Sequence, residues 1–262
     1  MLGNRVGWIA RIAVTWALVA AVVGGGGPVG AAVVAPIQPG ANIGDFSPQS
    51  CIDPNVCIGC TLNFVFSDAA DRLFIGTAGH CTTHVGQQIV LVGDGSTIGE
   101  VTFRETGAYA SDLEVLMDPV GWAGYVTNDI DFALIAIDPE RYSEVSPAVR
   151  GWGGPTGVAE PSETEAGQLI LQFGQGHGIR DTPLQARQGV LIDHDEEMFE
   201  FAMPVSGGDS GSPVIHAATG KALGHVHGFH NGSSLPRILR VLAEAGYDLE
   251  IVTAEFIGDG AS

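Results

Sequence analysis

Along most of the chain the apolar positions come in short runs broken by Gly, Pro, Asn and Asp. Leu62, Phe64 and Phe66 alternate with Asn63, Val65 and Ser67, the period of a strand with one buried face. Residues 72–76 follow a short Asp-containing turn, and further apolar or β-branched runs occupy 88–92, 97–104 and 113–117. Residues 132–137 are apolar throughout and end at Asp138-Pro139, the length and punctuation of a buried strand. A Gly-rich stretch at about 140–166 offers little that packs and reads as the link between two halves. The second half repeats the style at 169–173, 186–192, 198–203, 213–216 and 222–229. Then the period changes. Leu235, Ile238, Leu239 and Leu242 fall at i, i+3, i+4 and i+7, which predicts an amphipathic helix over about 235–245. Ser234 suits its N-cap, Pro236 its first turn and Gly246 its stop. Residues 249–252 predict one last short strand.

Two clusters of roughly six short strands, closed by one helix, predict an all-β chain of two small barrels or a pair of sandwiches. The lack of crossover helices between strands disfavours an α/β sheet. The organisation expected is a first barrel over 61–145 and a second over 146–262, the link lying at the start of the second. Residues 36–60 are turn-rich and aperiodic, and read as an extended segment pinned by cysteines.

The N-terminus has another texture. Arg5 and Arg11 precede an apolar run over 12–23 in which Thr15 is the one polar residue, and small residues continue to Ala35. This is the layout of a signal peptide over 1–35, with cleavage expected between residues 30 and 40. The run is short for a membrane span, which needs about 20 residues. Without it, nine Lys and Arg face 30 Asp and Glu, a formal charge of −21. Such a surface repels nucleic acid and anionic lipid. The expectation is a secreted, extracellular monomer without a stable membrane anchor.

Cys51, Cys57, Cys60 and Cys81 are the four cysteines. Export favours disulfides, and spacing alone allows three pairings. Cys57-Ile58-Gly59-Cys60 has the spacing of a redox pair, but no helix-forming pattern follows it. Four-cysteine zinc ligation lacks a second Cys-x-x-Cys.

The stretch Val205-Ser206-Gly207-Gly208-Asp209-Ser210-Gly211-Ser212-Pro213-Val214 places a serine among three glycines between apolar runs. A tight bend there can aim the N–H groups of Gly208 and Ser210 into one small volume, the requirement for holding an oxyanion. Alone, the tetrapeptide Gly208-Asp209-Ser210-Gly211 reads first as a surface turn. A nucleophilic serine needs a base. Among eight histidines, His80 is best placed, in the small-residue stretch Thr77-Ala78-Gly79-His80-Cys81 at the end of a strand. The base in turn needs an orienting carboxylate. Asp131 opens the apolar run 132–137, where burial demands a partner. Asp129 and Asp112 are its competitors.

Thr77-Ala78-Gly79-His80-Cys81, Asp131-Phe132-Ala133-Leu134 and Gly208-Asp209-Ser210-Gly211-Ser212-Pro213-Val214 occur in that order. Together they closely resemble the trypsin/chymotrypsin-like serine peptidases, nearer to divergent bacterial secreted members. The resemblance covers about 61–251. It implies two packed six-stranded antiparallel β-barrels with a C-terminal helix and a cleft between the barrels. It implies His80 as base, Asp131 as its orienter, Ser210 as nucleophile, and Gly208 and Ser210 as oxyanion donors. It further implies the disulfide Cys60–Cys81, leaving Cys51 with Cys57. The substrate pocket falls near Pro204 at its base, with His227 and Phe229 on the wall strand. No acidic residue stands at the pocket base, so a preference for Arg or Lys is not implied. Two departures stand out. Ser212 occupies a place where many members carry glycine. No Ile-Val-Gly-Gly-like start follows a basic activation site, so Asp209 either finds a partner other than a new N-terminus or stays solvated.

The function expected is a secreted serine endopeptidase acting on protein or peptide substrates through an acyl-enzyme, with no cofactor, metal or nucleic acid involved. The alternative is a non-catalytic binding or adhesion module on the same fold. A metal hydrolase is a third reading. His80 and His84 are spaced i, i+4 but lack the glutamate and helix of His-Glu-x-x-His, while His225, His227 and His230 form a denser cluster.

Overall fold

The computed structural model describes residues 36–44, 51–53, 56–57, 59–106, 130–176 and 185–258, with backbone alone at 51–53 and 56–57. The signal-peptide stretch, the strand expected at 113–117, and Asp112 and Asp129 lie outside the described residues. In chain order the strands are β1 (Asn42–Gly44), β2 (Cys51–Asp53), β3 (Val56–Cys57), β4 (Cys60–Thr61), β5 (Val65–Ser67), β6 (Leu73–Thr77), β7 (Gln88–Leu91), β8 (Thr97–Glu105) and β9 (Phe132–Ile137). After the link come β10 (Leu169–Phe173), β11 (Ala186–His194), β12 (Met198–Ala202), β13 (Pro213–His216), β14 (Ala222–Val226) and β15 (Asn231–Ser234). Helix α1 (Leu235–Glu244) and β16 (Glu250–Ile251) close the chain.

The architecture is all-β with two distinct sheets and a C-terminal helix, broadly chymotrypsin-like. The sheets do not match one another, which corrects the expectation of two six-stranded barrels. The second is a closed barrel in the order β10-β11-β12-β15-β14-β13. The first is an open eight-stranded sheet in the order β16-β5-β6-β9-β8-β7-β1-β4. Its extra members come from outside the predicted clusters. β1 and β4 arise from the segment read as aperiodic, and β16 returns from beyond the helix to pair with β5. The β4 edge of this sheet finds a partner in the other unit. The Thr61 N–H donates to the Ser210 carbonyl of that unit at 2.9 Å, which leaves this edge group paired.

Apolar residues pack in three groups. Ile43, Val65, Ile75, Ile89, Ile98 and Ile135 fill one face of the first sheet. Ile170, Leu191, Phe199, Phe201, Val214 and Leu223 fill the second barrel. Phe64, Phe66, Phe132, Leu171, Ile215 and Leu242 join the two units and the helix. The first sheet is therefore covered on both faces near β5. Val65 is as buried as Phe66, so the predicted alternation of one wet and one dry face gives way to two dry faces.

The helix stripe is seen as expected, with Leu235, Ile238 and Leu242 buried. Ser234 makes no capping bond with its side chain. Its hydroxyl instead meets His194 Nε2 at 3.1 Å. β15 was hidden from pattern reasoning because Asn231-Gly232-Ser233-Ser234 is polar, yet all four residues are buried.

Candidate active site

β6 ends at Thr77 and the chain turns through one short 3₁₀ turn, Gly79–Cys81, that carries His80. Cys81 is bonded to Cys60 on β4, which ties this turn to the sheet edge. That disulfide also excludes a redox role for Cys57 with Cys60 and a four-cysteine zinc site. The side chains of Cys51 and Cys57 lie outside the described residues, although their backbones are ladder partners.

Asp131 immediately precedes β9, and β9 pairs with β6, so the ladder brings residues 131 and 80 together. Asp131 grips His80 twice. Oδ1 accepts the His80 backbone N–H at 2.8 Å, and Oδ2 lies 2.6 Å from Nδ1. Gly79 makes this approach possible, because a Cβ there would collide with the Glu105 carbonyl and crowd Asp131 Oδ1 at 2.9 Å. The carboxylate is 4% exposed. Burial by itself would raise its pKa, but the hydrogen bond and charge interaction with His80 hold it below the ordinary value, and His227 and His225 add to that. An ionised Asp131 keeps the proton on Nδ1, so Nε2 is the ring's acceptor.

Ser210 lies in the turn before β13. Gly208 has a φ of +102°, a backbone state that glycine adopts at little cost. The Asp209 N–H turns inward to the Ser206 carbonyl at 3.0 Å. Among the described residues, the N–H groups of Gly208 and Ser210 meet no protein acceptor. Of the two alternatives left open for Asp209, the structure has the paired one. Its Oδ2 pairs with Arg187 Nη1, the two side chains being 1% and 6% exposed. Oδ1 accepts the Gly176 N–H and Oδ2 the Ser206 N–H, each at 2.8 Å. Arg187 Nη1 also reaches Gln172 Oε1 at 3.3 Å and the Pro204 carbonyl at 3.2 Å. Gln172 Nε2 in turn donates to the hydroxyl of Ser212. A serine at 212 thus completes a polar network under the Ser210 loop.

His80 and Ser210 line one cleft with Val205, Ser206, Val226, His227, Gly228 and Phe229. Its volume is about 170 Å³. Of the expected wall residues, His227 and Phe229 are there. Pro204 is exposed and outside the lining, its place taken by Val205 and Ser206. The reason is that the Pro204 carbonyl is turned toward Arg187. His227 Nδ1 meets the Ser233 hydroxyl at 2.9 Å, and burial foremost lowers its pKa to about 4. His225 is fully buried, with Nε2 donating to the Asp131 carbonyl at 2.8 Å. Protonation would bury an N–H at Nδ1, where no acceptor stands among the described residues. Burial, with repulsion from His227 second, accordingly pushes its pKa down to about 3.

The spacing-based metal candidates dissolve into other contacts. His84 Nδ1 meets the Thr83 hydroxyl at 2.8 Å. Cys60, His80 and Cys81 converge within 4.8 Å, but as a disulfide beside an imidazole bound to Asp131, a set without a thiolate. His225 and His227 have ring centroids 6.3 Å apart and separate hydrogen-bond partners.

Sequence reasoning missed Arg187 and Thr61, and read His225 only as a member of a metal-candidate cluster, not as the partner of the Asp131 carbonyl. Arg187 left a faint signal as the single basic residue in an otherwise apolar and neutral run of an acidic chain. Thr61 left none, since a threonine beside a cysteine is ordinary.

No family model and no curated protein matches the chain. Among solved structures it is similar to the Nocardiopsis protease NAPase, at 13% identity and a TM-score of 0.48, over 82% of this chain and 98% of that one. It is similar to a mutant of Rv3671c from M. tuberculosis H37Rv in an inactive form, at 17% identity and a TM-score of 0.49, over 86% and 98%. It is also similar to an α-lytic protease homologue, at 15% identity and a TM-score of 0.44, over 82% and 98%. At these scores the likenesses add no weight to the functional reading, which rests on the site itself.

Proposed function

We propose that the protein is a secreted serine endopeptidase in which Ser210 is the nucleophile, His80 the general base and Asp131 the group that orients it. One observation carries this reading: Asp131 fixes His80 through both Nδ1 and the backbone N–H, while the ring shares a cleft with Ser210. His80 Nε2 takes the Ser210 proton as Oγ attacks a peptide carbonyl. The oxyanion forms against the N–H groups of Gly208 and Ser210, which among the described residues have no other acceptor to give up. His80 then protonates the leaving amine, and water, activated the same way, releases the acyl group. Arg187 replaces a cleavage-generated N-terminus as the partner of Asp209, so the Ser210 loop needs no activating cut. A disulfide at Cys60–Cys81 fits an oxidising, extracellular setting. Among the described residues no helix is long and apolar enough to cross a membrane.

A fluorescent fluorophosphonate tests this directly. It should label the folded protein at Ser210. Labelling should vanish in Ser210→Ala and slow by about 100-fold or more in His80→Ala. Folded, oxidised protein that takes no label would overturn the proposal in favour of a binding module.

A further inference from the structure

Thr61 is fully buried at the open edge of the first sheet, and each of its polar atoms is spent on the junction with the second barrel or the strand behind it. Its N–H donates to the Ser210 carbonyl at 2.9 Å. Its hydroxyl donates to the Gly208 carbonyl at 2.8 Å and accepts the Gln175 N–H at 3.0 Å. Its own carbonyl accepts from the Thr77 hydroxyl at 2.9 Å, at the strand end that leads to His80. Cys60, the preceding residue, is bonded to Cys81, the residue after His80.

We infer that Thr61 is a positioning residue for the proposed reaction, its hydroxyl setting the backbone of the oxyanion loop from across the interdomain junction. The physical reason is that the Gly208 carbonyl and the Ser210 carbonyl are the two acceptors flanking Asp209. Clamping both from one residue fixes the 208–209 and 210–211 peptide planes, and with them the single plane between, which carries the Ser210 N–H. The glycine at 208 leaves that stretch free to rotate, so the loop's orientation must come from outside it. Arg187 and Asp209 hold the loop from below through side chains. Thr61 holds it from the side through the main chain, and links it to the segment that carries His80. A geometric error of a fraction of an ångström in oxyanion donors affects the transition state far more than the bound substrate.

This inference rests on the peptidase reading, and the test separates the two. Wild-type enzyme, Thr61→Val, Thr61→Ala and Thr61→Ser are compared on a chromogenic peptide, with rates normalised to sites titrated by fluorophosphonate. Removal of the hydroxyl in Thr61→Val should lower kcat by about 10- to 100-fold with KM within about threefold. Affinity for a peptide boronate, which adopts the tetrahedral geometry, should fall by a similar factor. Thr61→Ser, which keeps the hydroxyl, should stay within about threefold of wild type. Per-site kcat unchanged in Thr61→Val or Thr61→Ala, with only melting temperature lowered, would overturn the inference. Wild-type hydrogen exchange supplies a measurement that no folding defect can spoil. Boronate binding should slow exchange in the peptide containing Thr61 and in that containing Gln175. Protection confined to the Ser210 peptide would also overturn it. Wild-type protein that neither labels nor cleaves would instead bring down the peptidase reading.

Discussion

The two sheets differ in closure, and the way each partners a buried carboxylate differs in the same sense. Each strand of the second barrel has a neighbour on both sides. Its pair, Arg187 with Asp209, is shut away from solvent on both members. The first sheet ends at β4 and β16. Its pair, His80 with Asp131, buries the carboxylate and leaves the imidazole 28% exposed toward the cleft. A sealed ion pair cannot exchange protons readily, but it can hold a loop in place. A pair open on one side can move a proton. In the proposed mechanism the closed unit supplies geometry and the open unit supplies proton transfer. The open edge itself is where the two meet, through Thr61.

The comparison is broken most sharply by Asp131→Asn. If the open side carries the chemistry, kcat should fall by about 10⁴-fold, because the amide donates where a carboxylate accepted and favours the wrong imidazole tautomer. Melting temperature, followed by circular dichroism, should move by only a few degrees, since volume and packing are kept. A loss below tenfold would deny Asp131 the orienting role.

Next in size is Arg187→Met, on the closed side. It strands a buried carboxylate, which typically costs about 3–5 kcal/mol. Urea unfolding should show that loss, and activity should fall with it. Arg187→Met combined with Asp209→Asn should recover part of the stability, since no charge is left unpaired. Recovery of full activity in the double variant would show that the pair does not position the Ser210 loop.

The smallest effect is on pH dependence. His225 is held neutral in the folded protein, with its pKa lowered to about 3, whereas the unfolded chain protonates it near 6.5. The unfolded state therefore takes up the proton first, and this contribution to stability is intact above about pH 6.5 and is lost as pH falls toward 3. His227, lowered to about 4, acts in the same direction. Over the first one to two pH units below 6.5 the loss from His225 should be roughly 2 kcal/mol. Urea unfolding between about pH 7 and pH 5 should show it, and His225→Gln should flatten the slope. A pH-independent stability over that window would mean the imidazole is not sealed.

Much of this was legible from pattern alone. The run 132–137 is β9, residues 169–173 are β10 and 213–216 are β13. The first is unambiguous because burial on both faces leaves no polar residue inside it, and the other two carry a single polar residue each, Gln172 and His216, among apolar ones. The small residues at 77–79 announced a tight approach to His80, and Gly79 bears it out against Asp131. By contrast, β1 and β4 are two or three residues long in a turn-rich segment, too short for any period to register. β15 is polar yet buried, because its side chains serve as hydrogen-bond partners: Ser233 for His227 and Ser234 for His194.

What the sequence determined by itself is local: the strand-forming runs, the amphipathic C-terminal helix, the flexible Gly-Gly-Asp-Ser-Gly turn and the acidic surface. These follow from side-chain period and backbone freedom, which act over a few residues. The tertiary structure alone decided that the first sheet stays open, that Arg187 is the partner of Asp209, and that Thr61 reaches Gly208 from 147 positions away. The reason is that a buried polar group must find its partner wherever packing brings one within about 3 Å. Which group arrives there is a property of the assembled chain, with no counterpart in the spacing of its residues.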